Sequence, residues 1–260
     1  MACARAPVRP ETSVACPTLP QPVLVTVEGA KLNELHEQFD LPDTPALWAA
    51  APEDATAARY RIGVVAHLGP DIAPKTLLTR QIVVFTAGPQ AREAQNGAAV
   101  LEGRVGTIVT PSCIDRLLFA RQAARYPMLE HPTEFGAFVL RGNGRVRMYV
   151  SSMDLVGQKI RHEVTDRVRD DASHGFAVVA HLHNHPFLFD RHIGDRMWTT
   201  PDTLGDVSGA LAPSLTDAEF FANTAAEIPL EGAWITTGLA SIRILAADFP
   251  RLATHSGEAK

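Results

Sequence analysis

The sequence predicts an α+β (α/β) protein: a sheet flanked by helices, with a small β-rich region in front of it. Three observations carry that expectation. After Pro111 the chain reads as helix, hairpin, strand, helix, strand, strand, an order that packs helices against a sheet. The hairpin is marked by "GNGR", in which Asn-Gly supplies the positive φ of a tight turn. Before Pro111, β-branched runs alternate with Gly and Pro, the pattern of short strands and turns.

In chain order, residues 1–22 hold five prolines and read as disordered. "PVLVTVEG" reads as a strand. "KLNELHEQFDL" places Leu32, Leu35 and Phe39 at helical spacing. "LPDTPALWAAAPEDATA" reads as loop, and "YRIGVVAHLG", "RQIVVFTAG" and "GRVGTIVT" read as strands. Residues 23–110 are therefore expected to form the small β-rich region. Residues 111–250 form the second unit. There "SCIDRLLFARQAARY" is an amphipathic helix whose N-terminus suits Ser112 and Asp115. "EFGAFVLRGNGRVRMYVSS" is the hairpin, and "GFAVVAHLHNHP" is an apolar strand that stops at histidines. "SLTDAEFFANTAAEI" is a helix, with Thr216 and Glu219 at capping-box spacing. "GAWITTG" and "ASIRILAAD" are two more strands.

The chain has 260 residues, 46% of them apolar and 20% charged, with a net charge of −5. It has no basic stripe, which argues against a nucleic-acid partner. It has no run of about 18 apolar residues, so no spanning helix is expected. Cys3, Cys16 and Cys113 contain no CxxC pair, which disfavours a thiolate zinc site. Cys113 reads in one way as a small buried hydrophobe. The Pro-rich start also resembles the polar tether of a bacterial lipoprotein. That resemblance implies lipid on Cys3, with Cys16 free to pair with Cys113 in an oxidising compartment. Localisation is left between cytoplasmic and periplasmic.

The chemistry gathers in "AHLHNHPFLF". Side chains at i and i+2 share one face of a strand, so His181, His183 and His185 point together. Two imidazoles at that spacing suit one cation, zinc best among the common metals. Pro186 ends the strand there. A catalytic zinc usually has three protein ligands and a water. Asp217 in "PSLTD", in the first turn of the next helix, can supply the third.

"HNHP" followed by "PSLTD" resembles the JAMM motif of the MPN/JAB zinc metallopeptidase family, in its bacterial form. The family also carries a glutamate that opens the hairpin, and here Glu134 stands in "HPTEFGAFVL". The resemblance covers roughly residues 111–248 and implies an MPN/JAB-like (cytidine-deaminase-like) sheet. It implies Zn2+ bound by His183, His185 and Asp217, Glu134 as general base and Ser214 as hydrogen-bond donor to the oxyanion. The bond cleaved would be an amide or isopeptide.

This sequence departs from the family pattern in three places. Asn184 stands where the family has Ser or Thr, and its side chain is expected to face away from the metal. His181 stands where an apolar residue is usual, and reads as a supporting donor. Ser214 follows His185 by 29 residues, far beyond the family's short spacing, so residues 187–212 read as an inserted loop over the site. That insertion holds Asp190, His192, Asp195, Asp202 and Asp206 as rival ligands, and Glu130 rivals Glu134. The substrate implied is a ubiquitin-like protein, or a small peptide or cell-envelope amide if the protein is exported. The alternative is a non-catalytic scaffold of the same fold. A cupin would need a glutamate soon after His185, and the first is Glu219. An HNH nuclease spreads its motif over a longer unit.

Overall fold

The computed structural model describes residues 15–31, 33–88, 90–157, 160–188 and 209–256. They build one eight-stranded sheet with helices on both faces. The strands are β1 (Val23–Leu24), β2 (Leu35–Pro42), β3 (Thr107–Val109), β4 (Phe135–Gly142), β5 (Arg145–Ser152), β6 (Ala177–Asn184), β7 (Gly232–Thr236) and β8 (Ser241–Leu245). Their order across the sheet is β1-β2-β5-β4-β6-β7-β8-β3. Among the described strands, β6–β7 is the parallel pair and the other six pairs are antiparallel.

The hairpin β4–β5 turns at Asn143 and Gly144, both with positive φ (52° and 70°), as Asn-Gly favours. Helix α5 (Cys113–Arg125) starts with a full capping box between Ser112 and Asp115. The expected strand at the histidines is β6, and it sits centrally between β4 and β7. Side chains on both of its faces are buried, which explains its near-continuous apolar run.

The region before Pro111 corrects the sequence expectation. "YRIGVVAHLG" lies in helix α2 (Ala55–Leu68), and "RQIVVFTAG" lies mostly in helix α3 (Pro74–Thr86). The Oδ1 of Asp54 accepts from the Ala57 amide and so starts α2. Ala57, Tyr60 and Val64 are its buried face. Pro74 opens α3, whose Leu77, Leu78, Gln81 and Phe85 are buried. Short helices α1 (Pro45–Trp48) and α4 (Glu93–Leu101) complete the region. Most of "KLNELHEQFDL", expected as a helix, is strand β2, paired along its length with β5. Its Phe39 and Leu41 face the core, while Glu37 meets Arg121 of α5 and Asp40 meets Arg147 of β5. The region is thus mainly helical, and its strands belong to the same sheet as the hairpin. Residues 15–22 are also tied down: Cys16 is disulfide-bonded to Cys113, with Cα atoms 5.3 Å apart. Cys3 and most of the insertion 187–212 lie outside the described residues.

Two further helices are α6 (His162–Ser173) and α7 (Leu215–Glu227). Tyr149 of β5 donates to Asp171 of α6, and the ring of His181 on β6 lies 4.6 Å from that of Phe220 on α7. Alternation along the strands places α6 and α7 on one face. Helix α5 covers the other, through Gln122 to Ser152 and Arg121 to Glu37. Phe221 of α7 is almost fully buried, against the His183 ring and Phe249. Burying such a ring stabilises by roughly 1.5–3 kcal/mol, and it sets the height of α7 above β6.

Candidate metal centre

The site forms where β6 ends beneath the start of α7. His183 Nε2 lies 3.1 Å from His185 Nε2. Asp217 reaches both, with Oδ1 at 3.5 Å from His183 Nε2 and Oδ2 at 3.3 Å from His185 Nε2. One ligand atom from each falls within 4.8 Å of the others, so the three could hold a metal ion. A tetrahedral ion with ligands at about 2.0–2.1 Å needs donor separations of about 3.3 Å, and these distances bracket that value.

The tautomer of His185 is set by the chain. Its Nδ1–H donates to the Ala210 carbonyl at 2.9 Å, which turns Nε2 into the site, where it offers a lone pair once its own proton has left. Its amide donates to Thr236 O and extends the β6–β7 pairing by one residue. Ala210 belongs to the buried residues 209–212, so that segment holds a candidate ligand in place. His183 has no such support: its Nδ1 is buried with no protein partner among the described residues. Two nitrogens and a carboxylate converging this closely repel unless a proton or a cation lies between them.

The titration behaviour follows from that crowding. At Asp217 burial works to raise the pKa, but the charges and hydrogen bonds of His183 and His185 hold the carboxyl well below its usual range. At His185 burial works downward and is outweighed by the hydrogen bond and charge of Asp217, which lift it to about 9. Burial and the neighbouring His183 push His181 well below the ordinary imidazole value. His181 is therefore neutral, packed among Phe138, Phe220 and Phe221.

Asp217 is also the third residue of α7, and Ser214 is its N-cap. The Ser214 Oγ accepts from the Asp217 amide at 3.0 Å and donates to Asp217 Oδ2 at 2.8 Å. The capping box is therefore Ser214 with Asp217, and not Thr216 with Glu219. Glu219 instead accepts from the His255 amide. "PSCID" at α5 and "PSLTD" at α7 are the same Pro-Ser-x-x-Asp pattern used twice. At α5 the carboxylate is fully buried and paired with Arg243. At α7 it faces two imidazoles. The pattern alone therefore specifies a helix start, and the neighbours decide whether its carboxylate is available as a ligand.

Glu134 stands just before β4. Burial raises its carboxyl pKa, opposed by the fields of His185 and His183. Its carboxyl is thus electrostatically coupled to the metal candidates. Its Oε2 accepts from the Gly157 amide at 2.5 Å, and its own amide donates to Leu155 O. The amide of Glu130, the rival acid, donates to the Pro127 carbonyl. A carboxylate that the sequence reading missed is Glu93 on α4. Burial raises its pKa, and it feels Asp217 and His185. One turn further on, Asn96 donates to the Pro213 carbonyl beside Ser214. Nothing local in "REAQN" signals this, because α4 reaches the site only through the tertiary fold.

A second constellation has the connectivity of a nucleophilic relay. Ser151 Oγ lies 2.8 Å from His36 Nδ1, and His36 Nε2 lies 3.0 Å from Glu34 Oε1. Ser151 is fully buried, His36 nearly so, and Glu34 is held by Arg161 at 2.5 and 2.7 Å. No substrate carbonyl can reach that hydroxyl. The line ties β2 to β5 and the start of α6.

The chain matches no protein family, no curated protein and no solved structure. The functional reading therefore rests on the site.

Proposed function

We propose that this protein is a zinc-dependent hydrolase of amide bonds, of the MPN/JAB type its sequence resembles. The observation that carries the reading is the convergence of His183 Nε2, His185 Nε2 and Asp217 on one another, with the tautomer of His185 fixed by Ala210. The donor set, two imidazoles and one carboxylate, fits zinc and leaves room for a fourth ligand. A zinc ion held by these residues would polarise a carbonyl and would lower the pKa of water from about 15.7 to about 7. The expected order of helix α5, hairpin, β6, α7, β7 and β8 supports the reading, although helix α6, which the sequence reading did not foresee, stands between the hairpin and β6.

The remaining work falls to the chain's own groups. Glu134 takes a proton from water and returns it to the leaving amine, a role worth typically about 10²–10⁴-fold. Its raised pKa brings it toward the neutral range where such a group works well. Ser214 first orients Asp217. To stabilise an oxyanion its hydroxyl proton must turn from Asp217 Oδ2 to the substrate oxygen. His181 and the phenylalanines around it form the apolar wall behind His183.

The disulfide bears on the substrate. Cys16 and Cys113 are 97 residues apart and bonded, and such bonds persist in oxidising compartments. That favours a peptide or cell-envelope amide over a ubiquitin-like protein of the cytosol. The test is cleavage of a mixed peptide library, read by mass spectrometry, with zinc-loaded wild type and Glu134→Gln. The wild type should cut, and the variant should keep its zinc and lose cleavage by about 10²–10⁴-fold. Undiminished cleavage by the variant rejects Glu134 as base. No cleavage by zinc-loaded wild type leaves the scaffold reading in its place.

A further inference from the structure

Asn184 sits between the two histidines, fully buried, with its side chain on the face of β6 opposite to theirs. It is not idle there. Its Oδ1 accepts from the Phe135 amide at 2.7 Å, and its Nδ2 donates to the Thr133 carbonyl at 2.9 Å. The two partners fix the amide's orientation, because a backbone N–H only donates and a carbonyl only accepts. These are the backbone groups on either side of Glu134. The other main-chain groups of that stretch are also held. The Glu134 amide donates to Leu155 O, and the Gln122 side chain donates to the Glu134 carbonyl at 3.3 Å and to Thr133 Oγ1 at 2.7 Å. Gln122 is anchored in turn by Ser152.

We propose that Asn184 is a positioning residue that locks the backbone of Glu134 in register with the metal ligands. It rests on the zinc reading of the site and adds how the base is aimed. Because Asn184 shares a strand with His183 and His185, the base and the ligands are set from three consecutive residues. Side chains on one face of β6 hold the ion, and the side chain on the other holds the loop that carries the base. A serine is too short to reach both Thr133 O and Phe135 N, and a leucine fills the same space with no hydrogen bonds. Either change frees the loop without touching an imidazole.

The experiment uses full-length protein with 13C-labelled glutamate, loaded with Co2+, as wild type, Asn184→Leu and Asn184→Ser. Three readouts are taken: Co2+ affinity by titration of its visible absorption, hydrogen exchange of the Phe135 amide, and the Co2+-induced shift of the Glu134 side-chain carbon. In both variants the affinity should stay within about threefold, since the ligands are untouched. Phe135 exchange should rise about tenfold, the equivalent of one lost hydrogen bond of about 1.4 kcal/mol, while Val139 in the same strand is unchanged. The induced shift on Glu134 should shrink as the carboxyl samples more positions. If the leucine variant fails to fold, the serine variant gives the same readouts. An unchanged Glu134 shift with Co2+ bound overturns the positioning role and leaves the zinc reading standing. Absence of Co2+ binding by the wild type overturns the zinc reading, and the role of Asn184 falls with it.

Discussion

Breaking the Cys16–Cys113 bond should cost several kcal/mol. The perturbation is Cys16→Ser with Cys113→Ser, compared with chemical reduction of the wild type. The bond closes a loop of 97 residues. The chain-entropy relation gives about 4.7 kcal/mol at 25 °C for a loop of that length, an upper figure because denatured chains retain structure. In a protein of this size each kcal/mol moves Tm by roughly 2–4 °C, so reduction should lower Tm by roughly 9–19 °C. The cysteines join residue 16 to the first turn of α5, where Cys113 is buried. Losing the bond frees the N-terminal segment from the helix that packs under the sheet. The assay is thermal unfolding by circular dichroism, with and without reductant, and thiol titration of the native protein. The double variant and the reduced wild type should melt together. Three titratable thiols in protein purified without reductant, or a Tm unmoved by reduction, would refute the staple and the substrate argument that leans on it.

Three other outcomes follow from the geometry. With the His185 pKa at about 9, that ring carries a proton at pH 7 in the metal-free protein. Metal binding should therefore release about one proton per ion, and affinity should rise about tenfold per pH unit up to about pH 9 and then level off, as calorimetry in two buffers of different ionisation enthalpy would show. Asp115→Asn should cost about 3 kcal/mol of stability by leaving Arg243 unpaired against a buried site, with metal affinity unchanged, as denaturant unfolding and metal titration would show. Glu34 is held down to about 2, chiefly by its hydrogen bond to Arg161. That stability is present above pH 4.5 and is lost as the pH falls toward 2. Glu34→Gln should thus flatten acid unfolding in that window and cost about 1 kcal/mol, the upper end for a solvent-screened pair.

Most of the half after Pro111 was legible because its elements carried local signals, but helix α6 (His162–Ser173) went unread. Asn143-Gly144 dictated the turn, Ser112 and Asp115 dictated the start of α5, and Pro186 ended the histidine strand. The half before it misled, because propensity and burial disagreed. Ile62, Val64 and Val65 favour a strand by β-branching, but Asp54 caps a helix whose buried face is Ala57, Tyr60 and Val64, and tertiary packing overrides propensity. The reverse happened at β2. Leu35 and Phe39 suggested a helical stripe, whereas the polar Glu37 between them and Asp40 after them are accommodated by Arg121 and Arg147 from distant elements. At the site, the histidines were legible from spacing, and Asp217 joined them through the resemblance to the JAMM motif. The supports were not, since Ala210, Glu93 and the Asn184 contacts are made only in three dimensions.

The most direct test of the central claim is zinc titration of the metal-stripped protein, wild type against Asp217→Asn. The wild type should take up one ion per chain, and the variant should lose at least about 100-fold in affinity while remaining folded. Equal affinity in the two proteins would mean that the carboxylate is only a helix cap and that the two histidines do not share an ion with it.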